Sequence, residues 1–450
     1  MIHKFCQDDT YMVIDVNSGA VHVIDELVYD VLDFYQDKKT EEIINLLKNK
    51  YLDVEIREAI GELDYIKSEG LLFSDDRYFD HEALKNRKSV VKALCLHIAH
   101  DCNMRCKYCF ASQGDFKGER SLMSTDVGKK SIDFLIENSG NRHNLEIDFF
   151  GGEPLMNFET VKEIVEYGKK REKEYNKNIR FTITTNGLLL NDENMEYINE
   201  NMYNVVLSLD GRKEVHDAMR YTVSGQGTYD IIMPKFLKMA NMREGRDYFV
   251  RGTFTENNLD FASDVLHLAD LGFKSTSMEP VVTEDYHDYA IKEEDLPAIF
   301  EQYELLAGEY VKRIKERKGF SFFHFMIDLH QGPCIIKRVS GCGAGSEYLA
   351  VTPEGDIYPC HQFVGDENFK IGTVEEGITN TTLCREFGNA HIYNKSKCSN
   401  CWARFYCSGG CHANAYNSNN NIYEPYDIGC EMQRKRIECS LIIQAKLAEE

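Results

Sequence analysis

The sequence predicts an α/β protein built on a parallel sheet, with a small sheet-and-helix unit ahead of it and a cysteine-rich, loop-rich region behind. Six strand-like runs alternate with helical stretches between residues 92 and 330, and such alternation is the pattern of parallel βα units. Ahead of them, short alternating segments give way to three helical ones. Most of the 15 cysteines fall into two spaced groups, one after the first strand-like run and one near the C-terminus.

The chain has 450 residues, 43% of them hydrophobic, so it can bury a large core and should hold more than one domain. A formal charge of −22 with scattered Lys and Arg argues against a phosphate-tracking surface, so no nucleic-acid partner is expected. The start, "MIHKFCQDDTYMVIDV", lacks the pattern of a signal peptide, and no later run is long and apolar enough to span a bilayer. A soluble, cytoplasmic protein without membrane contact is expected. In a reducing compartment 15 cysteines point to metal or cluster ligation rather than disulfides.

Residues 1–80 form the first unit. "HKFCQ", "YMVIDV" and "AVHVID" alternate as strands around the tight turn "NSG", and Leu27–Tyr35, Thr40–Asn49 and Glu55–Ser68 carry apolar residues at helical spacing. This is a winged-helix-type pattern. The charged stretch 81–91 reads as a linker. The strands of residues 92–330 are "KALCLHIA", "LEIDFF", "IRFTITT", "NVVLSLD", "YFVRGTFT" and "STSMEPVV", with helices at Asp126–Asn138, Phe158–Tyr175, Asp260–Leu271 and Phe300–Lys318. Several strands end in "AHDC", "GGEP", "TNG" or "LDG". Chemistry in parallel sheets is built at the carboxyl ends of strands, so these endings should converge on one site. Taken singly, "NG" and "DG" are ordinary turns. The cysteine-rich region covers residues 331–435, and a closing helix covers 436–450.

In "AHDCNMRCKYCF" the cysteines Cys102, Cys106 and Cys109 stand at C-x3-C-x2-C. A structural zinc site closes with four ligands, whereas three thiolates can hold three irons of a [4Fe–4S] cluster and leave the fourth open to a small molecule. With Tyr108 before the last cysteine, the motif resembles the C-x3-C-x-φ-C signature of the radical S-adenosylmethionine (SAM) enzymes. That resemblance implies a partial (β/α)6 parallel barrel, SAM chelated by the open iron, and a 5′-deoxyadenosyl radical that abstracts hydrogen. It also implies that Gly151, Gly152 and Glu153 meet the methionyl amino group. Asn186, Ser208 and Arg220 match positions that line the ribose or carboxylate, for which Arg is chemically apt.

Near the C-terminus, Cys398, Cys401, Cys407 and Cys411 form C-x2-C-x5-C-x3-C, Cys430 follows, and Cys342 and Cys360 lie upstream. Zinc is a competitor for the four-cysteine run on spacing alone. The seven together resemble the SPASM extension of radical SAM proteins, which implies two auxiliary [4Fe–4S] clusters, three clusters in all. By that resemblance Cys398, Cys401, Cys407 and Cys430 hold one auxiliary cluster, and Cys342, Cys360 and Cys411 hold part of the other. A further cysteine of fully ligated members falls on Tyr348 here; Cys334 could substitute, or an iron could stay open for a substrate thiolate. Sulfatase-maturing relatives carry an Asp base where this chain has His361. Cys6, Cys95, Cys384 and Cys439 are read as small buried hydrophobes.

The whole chain resembles the maturases of SCIFF (six cysteines in forty-five) peptides. The resemblance implies an enzyme that joins a cysteine sulfur to a threonine α-carbon within a ribosomally made, cysteine-rich precursor peptide, and an external electron donor such as flavodoxin or ferredoxin. The leader of that peptide would bind the N-terminal unit by adding a strand near residues 20 to 25. Rival readings are another SPASM peptide modifier, forming carbon–carbon bonds or acting in quinohemoprotein-type or sulfatase-type maturation, or a non-catalytic iron–sulfur electron carrier.

Overall fold

The computed structural model describes residues 1–79, 90–329 and 335–448. At the N-terminus β1 (Ile2–Gln7), β2 (Thr10–Asp15) and β3 (Val21–Ile24) form an antiparallel sheet in that order. The "NSG" turn is fixed by Asp15, whose carboxylate accepts from the Ser18 and Ser74 amides, while Gly19 takes a left-handed φ of 78°. Three helices follow, α1 (Glu26–Val31), α2 (Thr40–Leu47) and α3 (Asp53–Ser68). Asp25 caps the first, accepting from Val28 N at 2.8 Å, and Glu42 and Glu55 reach back to the amides that precede α2 and α3. α1 stops four residues short of the expected Tyr35, and α3 starts two residues earlier than expected. Val13, Val31, Ile43, Ile56, Ile60 and Leu63 make the small core.

The other face of this small sheet is not free. Phe5, Met12 and Ile14 pack with Ala403, Ile437 and Leu441, and the His3 ring stacks on Trp402 at 3.8 Å. The unit is therefore seated on the C-terminal part of the chain.

The main sheet contains all six expected strands: β4 (Ala93–Ala99), β5 (Asn144–Gly151), β6 (Asn178–Thr185), β7 (Asn204–Ser208), β8 (Tyr248–Phe254) and β9 (Ser275–Pro280). They lie side by side in chain order, every pair parallel, with a two-residue β10 (Ser321–Phe322) after β9. Along β6 every second residue is buried against the helical layer, while the intervening Asn178, Arg180, Thr182 and Thr184 are less buried. Helices at Thr125–Asn138, Phe158–Tyr175, Asp192–Asn201, Tyr229–Met242, Phe261–Asp270 and Leu296–Lys315 connect and cover the strands.

The C-terminal region is more ordered than its composition suggests. β11 (Tyr348–Val351) pairs in parallel with β4, and β12 (Asp356–Tyr358), β13 (Gly372–Thr373) and β14 (Gly377–Ile378) continue the sheet antiparallel. The cysteine-rich region thus covers the edge that β4 would otherwise present. The closing helix runs Asp427–Ala448, nine residues earlier than expected, and so carries Cys430 in its first turn. Among the described residues no helix is long and apolar enough to cross a membrane.

Candidate cluster and cofactor site

The site begins where β4 ends. Ala99 pairs with Gly151, so the cysteine loop after β4 and the "GGEP" turn after β5 leave the sheet together. The two turns are in direct contact. Gly152 N donates to Ala99 O at 2.8 Å and Glu153 N to Asp101 O at 3.0 Å, while a Cβ on Gly152 would stand 2.1 Å from Asp101 O. A Cβ on Gly114, at φ 107°, would stand 2.7 Å from Cys102 Cβ. Both glycines are therefore required to seat Cys102, whatever else they touch.

Glu153 does more than the sequence suggests. Its side chain is fully buried and accepts from Leu155 N (3.0 Å), Thr185 Oγ1 (2.8 Å) and Asn186 N (2.8 Å), which ties the "TTNG" turn after β6 to the cysteine loop. Three donors leave the carboxylate one acceptor site for a further partner. Burial, only partly offset by those bonds, pushes its pKa up to about 7. Asn186 Nδ2 donates to Asn103 Oδ1 at 2.8 Å and lies 3.7 Å from Cys102 Sγ. Ser208 closes β7, and its hydroxyl makes no hydrogen bond among the described residues.

The residue that sequence reasoning missed is Asp210. Fully buried at the end of "LSLDG", it accepts from Tyr108 OH at 2.5 Å, from Arg220 Nε at 3.1 Å and from Thr253 N at 3.0 Å. It thereby holds the aromatic of the cysteine motif and the arginine of "HDAMR" against each other; the guanidinium lies 5.4 Å from the Tyr108 ring centre. The available signal is an acid closing the apolar run "VVLSLD", one of the strand endings expected to converge, where the sequence singles out Ser208 and not the acid. Burial pushes the Cys106 thiol up to about 11, and Arg220 pulls against it. Cys102 is raised to about 12, by burial first and then by Glu153. A cation beside buried sulfurs suits thiolate ligation.

The seven C-terminal cysteines separate into two sets. Cys360, at the end of the β12 turn, is raised by burial and then by the Cys411 and Cys342 sulfurs, so these three are neighbours. Cys430 is raised to about 12 by burial and then by Cys407, Cys398 and, more weakly, Cys401. Zinc and a cubane both remain chemically possible for the four-cysteine run on its donor set, and the division of the seven cysteines into a four and a three favours two clusters. A cubane takes one thiolate per iron. Lys395 provides a separate test of fit. It is 2% exposed, donates to Gly409 O at 2.6 Å and has no carboxylate partner among the described residues. A buried ammonium without a counter-ion is costly, and cluster-bound thiolates on both sides would supply the charge.

Tyr348 and His361 adjoin the first set. Tyr348 OH lies 3.2 Å from His361 Nδ1, and the His361 ring packs at 5.5 and 5.1 Å from Phe110 and Phe150 at the mouth of the sheet. Burial, then Arg251, holds His361 down at about 4, so it is neutral at pH 7. Cys334 lies outside the described residues. Of the isolated cysteines, Cys95 and Cys439 are buried as expected, Cys384 is half-buried, and Cys6 is exposed, because it points away from the packed face of β1.

Comparison with known proteins agrees with this geometry. Residues 96–232 match the family model of the radical SAM superfamily, and residues 342–402 that of the SPASM iron–sulfur cluster-binding domain. A cysteine-type anaerobic sulfatase-maturating enzyme of Clostridium novyi is 26% identical over 70% of this chain and 86% of its own. The radical SAM cyclopropyl synthase TigE of Paramaledivibacter caminithermalis is 24% identical over 90% of this chain and 86% of its own. The crystal structure of Streptococcus suis SuiB bound to precursor peptide SuiA shares the fold, with a TM-score of 0.52, 17% identity and coverage of 95% of this chain and 98% of that one. The chain carries a radical SAM domain and a SPASM domain, and its homologues include peptide and sulfatase maturases.

Proposed function

We propose that this protein is a radical SAM maturase that forms an intramolecular thioether, cysteine sulfur to threonine α-carbon, in a cysteine-rich precursor peptide. The observation that carries the reading is the gathering of ten cysteines into three separate sets, one of them at the strand ends beside Glu153, Asn186, Asp210 and Arg220. When bound, a [4Fe–4S] cluster with an open iron supplies the electron that cleaves SAM and yields the radical.

The protein's own residues position and protect. Cys102, Cys106 and Cys109 would hold the SAM-binding cluster. Glu153 has one acceptor site left for the methionyl amino group, and Arg220, which donates through Nε to Asp210 and also hydrogen-bonds the Cys106 sulfur, keeps further N–H groups that would meet the carboxylate. Gly151 and Gly152 keep the two loops close, and Asn186 and Ser208 would line the ribose or carboxylate. Cys398, Cys401, Cys407 and Cys430 would hold one auxiliary cluster. Cys342, Cys360 and Cys411 would hold the other, whose fourth ligand is then a substrate thiolate or Cys334. His361, hydrogen-bonded to Tyr348, stands at the mouth of the sheet beside this set, but burial makes it a weak base, and the thiol proton is assigned to no residue. An external low-potential one-electron carrier, flavodoxin or ferredoxin, completes the electron balance.

Residues 1–80 would hold the leader. The outer edge of β3 pairs with no strand among the described residues, and beside it lies a groove of about 300 Å³ lined by Val23, Ile24, Val28, Leu63, Ile66 and Leu72. An extended leader would add a strand there and drop alternate apolar side chains into the groove.

The test is to mix the anaerobically reconstituted, reduced protein with SAM and a cysteine-rich precursor peptide of the SCIFF type, then measure peptide mass and alkylatable thiols together. Loss of two hydrogens with one thiol blocked and no disulfide is expected. An unchanged peptide with 5′-deoxyadenosine still released would exclude this peptide as the substrate. Two lost hydrogens with every thiol free would point instead to carbon–carbon bond formation.

A further inference from the structure

Lys395 is the most deeply buried lysine described, and it sits at a junction. Its Nζ donates to the carbonyl of Gly409, the central residue of the run Cys407-Ser408-Gly409-Gly410-Cys411 that links the four-cysteine set to the three-cysteine set. Ser408, Gly409 and Gly410 all have positive φ (60°, 89° and 69°), and a Cβ on Gly409 would lie 3.4 Å from Lys395 Cδ, so the run is wrapped around the lysine stem. Lys395 O in turn accepts from Cys398 N at 3.2 Å. Burial lowers the Lys395 pKa, and the sulfurs of Cys398 and Cys407 of one set and of Cys411 and Cys342 of the other oppose that by favouring the ammonium. One of its three N–H groups is used by the hydrogen bonds described.

We propose that Lys395 is a charge bridge between the two auxiliary clusters, raising the reduction potential of both. The inference rests on the cluster reading above. The three-cysteine set adjoins the mouth of the sheet through His361, whereas the four-cysteine set lies outward, where Trp402 stacks on His3. An electron released in the reaction would leave the inner cluster, which is oxidised by one, and enter the outer cluster, which is reduced by one. No bond forms and no proton moves. A fixed positive charge between the two sites stabilises the reduced form of each, because reduction adds negative charge beside it.

The experiment compares wild-type protein, reconstituted with iron and sulfide, with Lys395→Gln and Lys395→Arg by iron analysis and potentiometric EPR titration. Gln keeps a donor for Gly409 O and loses the charge; Arg keeps the charge. Lys395→Gln with full iron should shift both auxiliary midpoint potentials downward, leave the cluster of Cys102, Cys106 and Cys109 where it was, and be corrected by Lys395→Arg. Unchanged potentials in Lys395→Gln, or an equal shift of all three clusters, would overturn the proposal. If Lys395→Gln loses iron, Lys395→Arg decides: full iron at wild-type potentials supports the charge, and equal iron loss makes the lysine a structural peg only. Wild-type protein with a single cluster would sink the cluster reading itself, whereas three clusters with unmoved potentials would sink this inference alone.

Discussion

Cys102 stands just past a fully buried strand, and besides its own loop the groups around it come from other strand ends: Gly152 after β5, Asn186 after β6, and through Tyr108 the Asp210–Arg220 pair after β7. Cys411 has no such frame. It follows a run of left-handed glycines, precedes a short helix, and has a buried lysine for a neighbour. The sheet fixes the first site to within van der Waals contact. The second depends on loops, one buried cation and whatever the cysteines bind. A site built on strand ends should therefore be intolerant of small steric changes, and a site built on loops should be intolerant of charge changes.

The largest effect that sharpens this contrast is expected from Cys102→Ala, which should abolish 5′-deoxyadenosine formation while leaving the C-terminal clusters spectroscopically intact. Gly152→Ala comes next. Its methyl would meet backbone rather than a flexible side chain, so the loop must shift, and displacement on the scale of 1 Å costs about 100-fold in rate. The equivalent change at Gly410, where a Cβ would meet nothing, should be limited by its φ alone and cost far less. Near-equal losses would break the comparison.

Asp210→Asn should lower the turnover of SAM by about 10- to 100-fold, the usual range for groups that orient ligands at one remove. The fall should appear chiefly as weaker SAM binding, because Arg220 loses the carboxylate that aims it. Direct titration of SAM against the reduced protein would read it.

Asp148 gives a pH prediction independent of any cluster. Burial, then Glu146, raises its pKa from 3.8 to about 7, so the folded chain holds a proton there that the unfolded chain has released. Between those values the folded state binds more protons, and stability falls as pH rises, by up to about 1.4 kcal/mol per pH unit. Asp148→Asn should flatten that part of the curve for the cluster-free protein, measured by denaturant titration at pH 5 and pH 7. The smallest effect is expected in the N-terminal groove, where Val23→Asp, at a position 57% exposed, should weaken leader binding on the order of tenfold without changing 5′-deoxyadenosine release.

The sequence foretold the six parallel strands because each is a contiguous apolar run with a recognisable ending, and the helix Phe158–Tyr175 because its apolar stripe is long. It did not foretell β11 to β14, which have two to four residues each, too few for alternation to show. The start of the closing helix was missed because "DIGCEMQRK" has little apolar periodicity; Met432 and Arg436 are buried there by neighbours such as Tyr303. At the site, the cysteines were visible as spacing. Asp210 and Lys395 were not, since a buried ion is indistinguishable from a surface one until its surroundings are assembled. Glu153 was visible as a motif but not as the carboxylate that ties two turns together.

The most direct test of the three-set account removes one set at once. Cys102, Cys106 and Cys109 are replaced together by alanine, and iron content and EPR spectra with and without SAM are compared with those of the wild-type protein. Three cubanes of four irons predict a fall from about twelve irons to about eight, with the SAM-sensitive signal lost and the remaining signals unmoved. A triple variant that keeps its SAM-sensitive signal, or that loses all its iron while remaining folded, would contradict the account.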